Sequence, residues 1–273
     1  MKNYINELDK LIKSSEDIAL GKNLLSELSL DRAALISLVG EYFELMSKNT
    51  YHSSKGLSGN TLLLKGVSGR ESNNIYLPLI SYHQDEPLNS IVTQSIFSIL
   101  TPINVPFVVE SYLLPENWNS EIFDPTVKLQ LDSTRILNPG EVLEIGPGRT
   151  AFHFRFHAPT IILKLQDQTV TQPYEWSFDV QTRIAWQSIS SHPKDSYAQH
   201  LCLAAKKLRD ERLVDPLVAL LNHQRHFIRW SAAQALGAYG HKHGINALSC
   251  LVNDHHPHIA KAATMALKRL HDR

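Results

Sequence analysis

The chain has 273 residues, 43% of them apolar, and 27 Lys+Arg balance 27 Asp+Glu. That is enough apolar material for one or two real cores and argues against disorder. The zero net charge hides an asymmetry: residues 1–190 carry 15 basic against 21 acidic side chains, whereas residues 191–273 carry 12 against 6 and hold ten of the 14 histidines. The two cysteines, Cys202 and Cys250, lie far apart among apolar positions, which argues against a disulfide framework or a Cys-based zinc site. No run of about 18 apolar residues exists to span a membrane, and the N-terminus, with acids early and no apolar core of signal-peptide length, does not read as a signal peptide. A soluble, cytoplasmic protein is expected.

Residues 4–47 read as helices. Tyr4, Leu8, Leu11 and Ile12 fall at helical spacing, and Asp31 is a plausible N-cap before Ala34, Leu35, Leu38, Val39, Tyr42, Phe43 and Met46. Their expected role is to cover one side of the sheet that follows.

From Tyr51 the pattern changes to short runs of strand formers separated by Gly, Pro, Asn and Asp. Strands are expected near residues 61–65, 75–82, 91–100, 106–113, 127–131, 142–145, 150–156, 160–165 and 174–180. With no helical crossover between them, these argue for an antiparallel sandwich or barrel. The segment Pro115–Asp124 is a surface loop that could serve as a lid, with Trp118 as its anchor on the body.

The stretch Asn138–His157, NPGEVLEIGPGRTAFHFRFH, holds the densest candidate chemistry. Pro139-Gly140 opens a turn, Val142, Leu143 and Ile145 form a strand, and Gly146-Pro147-Gly148 forces a reversal. On the returning strand a period of two puts Phe152, Phe154 and Phe156 on one face and His153, Arg155 and His157 on the other. One face is core; the other is a pocket lining or solvent.

Past Gln181 the sequence becomes repetitive. An offset of 31 residues aligns Leu217 with Leu248, Leu220 with Leu251, Ile228 with Ile259, Ala232 with Ala263, Ala235 with Ala266 and Leu236 with Leu267. The same offset carries Ala204 onto Ala235, and Trp186 and Ile189 onto Leu217 and Leu220, so a first, atypical repeat is expected to begin near Arg183. The phrase DPLVALLNHQRHFIRWSAAQALGAYG resembles HEAT repeats of the short bacterial type, and the resemblance implies about three stacked helix pairs. His255, His256 and His258 fall in an inter-helix turn, where a solvated loop is expected. No His-Glu dipeptide occurs, which sets aside the iron-binding HEAT hydroxylases as a functional guide.

The PG, strand, G-P-G and following His resemble the second motif of cupin and Jumonji-like barrels. His83 and Asp85, after the strand at 75–82, supply the H-x-D of the first motif. This resemblance implies a mononuclear Fe(II) site held by His83, Asp85 and His153, with Lys164, Arg155 or Arg149 holding the acid group of a 2-oxoglutarate co-substrate. The residues also allow a plainer reading: His83, Asp85 and Glu86 as a polar turn before Pro87, and His153 on the solvent face of an edge strand.

The organisation expected is therefore α+β and multidomain: a helical cover over residues 1–50, a cupin-like antiparallel β-barrel over 51–181, and HEAT-type repeats over 182–273. Two functions compete. One is an Fe(II) and 2-oxoglutarate oxygenase acting on a peptide, amino-acid or carrier-bound substrate docked by the repeats; the other is a non-catalytic adaptor. The basic repeats would meet an acidic protein or, less economically, a nucleic-acid backbone.

Overall fold

The computed structural model describes residues 7, 18–48, 61–66, 75–82 and 90–271. The first predicted helix, with Tyr4, Leu8, Leu11 and Ile12, lies outside these, as do His83 and Asp85. The chain forms two compact units, one of residues 1–120 and 124–189 and the other of Glu121–Phe123 and Ser190–Arg273.

The first unit begins with α1 (Ile18–Leu30) and α2 (Arg32–Lys48). Asp31 caps α2 as its sequence suggests, its carboxylate accepting from the Ala34 amide at 3.0 Å. Among the described residues eleven strands follow: β1 (Thr61–Gly66), β2 (Ile75–Tyr82), β3 (Ser90–Thr93), β4 (Ile96–Pro102), β5 (Phe107–Leu113), β6 (Gln130–Leu137), β7 (Leu143–Ile145), β8 (Thr150–Arg155), β9 (Thr160–Thr171), β10 (Tyr174–Asp179) and β11 (Ala185–Ser190).

The described strands form two open sheets, ordered β1-β2-β9-β4-β7 and β11-β10-β3-β8-β5-β6, and not the single closed barrel expected from sequence. The sheets share one core. Leu100, Leu143, Ile145 and Ile162 from the first meet Phe107, Val109 and Leu137 from the second, with Phe152, Phe154 and Phe156 packed against them. The first sheet's other face carries buried Ile99, Leu163 and Leu165, and α1 lies along β4 and β9 with Leu24, Leu25 and Leu28 buried. The N-terminal helix is thus a sheet cover.

The second sheet is also buried on its outer face. Ile91, Ala151, Trp176 and Phe178 lie there, and residues 115–120 are pinned over them by Trp118, whose ring meets Trp176 edge-on at 5.5 Å. The Trp176 indole also donates to the Ser120 carbonyl at 2.9 Å. This loop is an anchored cover rather than a lid poised above an opening.

Three strand readings need correction. The run 91–100 splits at Gln94-Ser95 into β3 and β4, which enter different sheets. The strand expected at 127–131 lies instead at Gln130–Leu137, an edge strand whose first seven residues are exposed and so lack an alternating pattern. The third, β11, was read as the start of a repeat helix. It forms because the Asp179 carboxylate accepts from the Gln181 and Thr182 amides at 3.2 and 2.7 Å and closes a hairpin that returns Ile184 to Asp179.

The second unit contains α3 (Pro193–Leu208), α4 (Val214–Leu220) after a 3-10 turn (Glu211–Leu213), α5 (His226–Leu236) followed by a turn at Gly237–Tyr239, α6 (His241–Leu251) and α7 (Pro257–His271). Cys202, Ala205, Leu217, Ala232, Ala235, Leu236, Ala247, Leu251, Ile259 and Ala263 make one continuous core. The small residues let helices approach closely, and Leu and Ile fill the layers between them, as a repeat stack requires.

Candidate functional site

The Asn138–His157 stretch crosses between the sheets twice. Pro139 and Gly140 turn the chain out of β6, with Gly140 at φ +87°, a value suited to glycine at the third position of a type II turn. A Cβ there would come 2.9 Å from Leu30, and the Ser26 hydroxyl donates to the Gly140 carbonyl at 2.6 Å. This turn therefore locks α1 onto the sandwich.

The Phe face of β8 points into the core between the sheets, and His153 lies on the other face, 6% exposed. Its Nδ1 is 3.3 Å from Glu110 Oε2 on the paired strand. The same carboxylate accepts from the Tyr112 hydroxyl at 2.7 Å and binds Arg155 at 3.1 Å. Burial would raise the Glu110 pKa, but the Tyr112 and His153 hydrogen bonds and the Arg155 charge outweigh it and hold the carboxyl below its usual range. Burial and that carboxylate push the Tyr112 phenol up to about 12, and Arg183 stands 5.6 Å from the centre of its ring. Glu110 is thus the hub of a charged cluster beneath which the sheet buries its outer face, and sequence reading missed it because two of its partners, His153 and Arg155, lie on another strand.

Of the remaining residues singled out from sequence, Arg149 donates to the Leu114 carbonyl at 3.1 Å and Arg155 is taken up by Glu110. Lys164 differs. By register it shares the inner face of β9 with Ile162 and stands opposite Leu100. Burial pulls its ammonium pKa down to about 8, with the Glu175 charge acting against that shift. Glu175 is itself held by Ser95, through the hydroxyl at 2.5 Å and the amide at 3.2 Å. The structure therefore brings a half-buried amine within electrostatic reach of a tethered carboxylate, from successive strands that enter different sheets, a meeting that left no local pattern in the sequence.

His153 faces away from that interior, so Lys164 and His153 belong to opposite faces of their sheets. With His83 and Asp85 outside the described residues, the triad geometry is not on view. Among the described residues no group of three or more His, Cys, Asp or Glu is placed to hold a metal ion.

In the helical unit the dominant feature is a buried Arg229–Asp254 pair, two-pronged at 2.7 and 2.5 Å, with Arg229 also donating to the carbonyls of His223 and Gln224 at 2.7 and 3.1 Å. Burial opposes ionisation of Asp254, but Arg229 and the His256 amide more than compensate and lower its pKa. The histidine turn corrects the expectation of a solvated loop at one position. His255 is exposed, whereas His256 is 5% exposed and stacks on His226 with ring centres 3.7 Å apart. His256 Nε2 lies 2.9 Å from the Glu121 carbonyl, as a donor, and its Nδ1 has no partner among the described residues.

Comparison with known proteins bears mainly on this unit. Residues 185–270 match the family of HEAT repeats, a kind of repeat that commonly mediates protein–protein contact. No curated protein matches the chain. Among solved structures, one similar chain is from hydroquinone 1,2-dioxygenase PnpCD in complex with Cd2+ and 4-hydroxybenzonitrile, at 13% identity and a TM-score of 0.29, covering 44% of this chain and 68% of that one. Another is vicilin from Capsicum annuum, at 13% identity and a TM-score of 0.25, covering 51% of this chain and 41% of that one. No described helix is long and apolar enough to cross a membrane.

Proposed function

We propose that this protein is an interaction module whose HEAT-type stack holds a protein partner with an acidic surface, the β-sandwich serving as its platform. The observation that carries this reading is the stack itself. Its five helices share one core, while Lys206, Lys207, Arg209, Arg212, Lys261, Lys268 and Arg269 remain exposed. Fixed charges on a rigid helical scaffold favour an acidic protein surface by steering and by excluding basic competitors. The test is capture: the full chain used as bait should retain a defined acidic protein that a chain ending at Ser190 does not. Equal retention by both would refute the reading.

A second reading has one observation in its favour. An amine at the inner face of a sandwich is suited to hold a small carboxylate, and Lys164 occupies such a place. An oxygenase using 2-oxoglutarate would draw on it, though not through a ligand set of His83, Asp85 and His153, because His153 lies on the outer face of its sheet beside Glu110. Calorimetric titration of 2-oxoglutarate into untagged protein tests the acid-binding part: heat of binding that Lys164→Met removes supports it, and no binding with or without Fe(II) eliminates it.

A further inference from the structure

The first helix of the repeat unit carries an apolar stripe that no described residue covers. Tyr197, Leu201, Ala204 and Leu208 recur at i, i+4, i+7 and i+11 and so share one face of α3. Tyr197 and Leu201 are each 68% exposed and Leu208 is 70% exposed. The 31-residue offset places these positions on Ile228, Ala232 and Ala235 of α5 and on Tyr239 of the turn after it, of which the first three are 0, 0 and 1% exposed and Tyr239 packs against the core. What differs is the neighbourhood. α5 has α3, α4 and α6 around it, whereas α3 packs on α5 and the turn after it. In the sequence, the place of the missing first helix is 185–190, which the HEAT match includes and which the structure uses as strand β11.

We propose that this stripe is the docking site for an amphipathic helix with acidic borders, supplied by a partner protein, which completes the first repeat in trans. The inference rests on the interaction reading above and names the partner's chemistry. Charge decides the occupant. Lys194, His200 and Lys207 border the stripe and are exposed, and Asp195, the one carboxylate of α3, is turned inward to Arg225 at 2.9 Å. A second copy of α3 laid on the first would set lysines against lysines with no acid to answer them. A helix of about three turns, apolar on one face and rimmed by Glu or Asp, matches both the length of the stripe and its charge.

The test uses the full chain and labelled helical peptides that share one Leu stripe, rimmed by Glu in one and by Lys in another, with a scrambled control. Fluorescence anisotropy should show the Glu-rimmed peptide binding at least tenfold tighter than the Lys-rimmed one. Leu201→Glu should remove that binding with an unchanged circular dichroism spectrum, and Lys194→Glu with Lys207→Glu should reverse the peptide preference. Equal binding of the two rims, or binding no better than the scrambled control, would overturn the proposal. So would a dimer in sedimentation that Leu201→Glu dissociates, since a second copy would then be the occupant. A captured partner that survives Leu201→Glu overturns the stripe and leaves the interaction reading standing.

Discussion

His226 shows how position sets the chemistry of a residue type that dominates the basic end of the chain. It opens α5, where the helix dipole disfavours a positive charge, and lies face to face with His256 at 3.7 Å. Burial first, then the charges of His256 and Arg229, lower its pKa to about 4, against an opposing pull from Asp254. His256 is lowered too, again mainly by burial. Both rings are therefore neutral in the folded chain at pH 7. A ring whose folded pKa lies below its unfolded value of about 6.5 leaves stability intact above that value. As pH falls from about 6.5 towards 4, the unfolded chain takes up a proton that the folded one refuses, and stability is lost. For His226 this amounts to about 2 kcal/mol between pH 7 and 5. Denaturant unfolding of His226→Phe, which keeps a ring for stacking but cannot protonate, should show that much less acid sensitivity; an unchanged slope would mean that His226 does not titrate as its surroundings imply.

Between elements, the most deeply buried polar tie in the stack is the Arg229–Asp254 pair, which links α5 to the turn before α7. Both side chains are about 4% exposed or less, so removing one partner strands the other in a low-dielectric setting. Asp254→Asn should destabilise the protein by about 3 kcal/mol, whereas Asp210→Asn, whose partner Arg212 is exposed, should cost little. A comparable loss from both variants, in parallel denaturant melts, would show that burial is not the deciding factor. The elements differ in how far the sequence reveals them. The repeat period was legible because helix packing demands the same small and apolar residues at each turn, and β8 was legible because its Phe residues alternate with polar ones as a strand's two faces do. β11 was not. Its hairpin places Arg183 at φ +61°, where glycine is the usual signal, and its Trp186 and Ile189 are exposed side chains that mimic a helical core by spacing alone. The Glu110 cluster and the approach of Glu175 to Lys164 were hidden for another reason: the first joins β5 to β8 and the second joins successive strands of different sheets, and no local period encodes either meeting.

For the whole molecule, the boundary between the two units follows from β11. Sequence periodicity sets it near residue 181, but Ala185–Ser190 completes the second sheet and Ser190 begins the helical unit. The return strand is well tied to the sandwich. The Leu129 amide donates to the Arg183 carbonyl at 2.9 Å, the Ala185 amide to the Val127 carbonyl at 2.9 Å, and the Asp179 amide to the Ile184 carbonyl at 3.0 Å. Ala185 is buried, and Arg183 stands over the Tyr112 ring. A chain ending at Asp179 loses all of these, and at about 1 kcal/mol for each backbone hydrogen bond the deficit is about 3 kcal/mol relative to a chain ending at Ser190. At this size that corresponds to a melting temperature lower by about 10 °C. Both truncated chains should lose the same helical signal in circular dichroism, since both lack α3 to α7, so the helix content does not discriminate and the melting temperature does. Equal melting temperatures would return 180–190 to the helical unit and restore the boundary that the repeat spacing suggests.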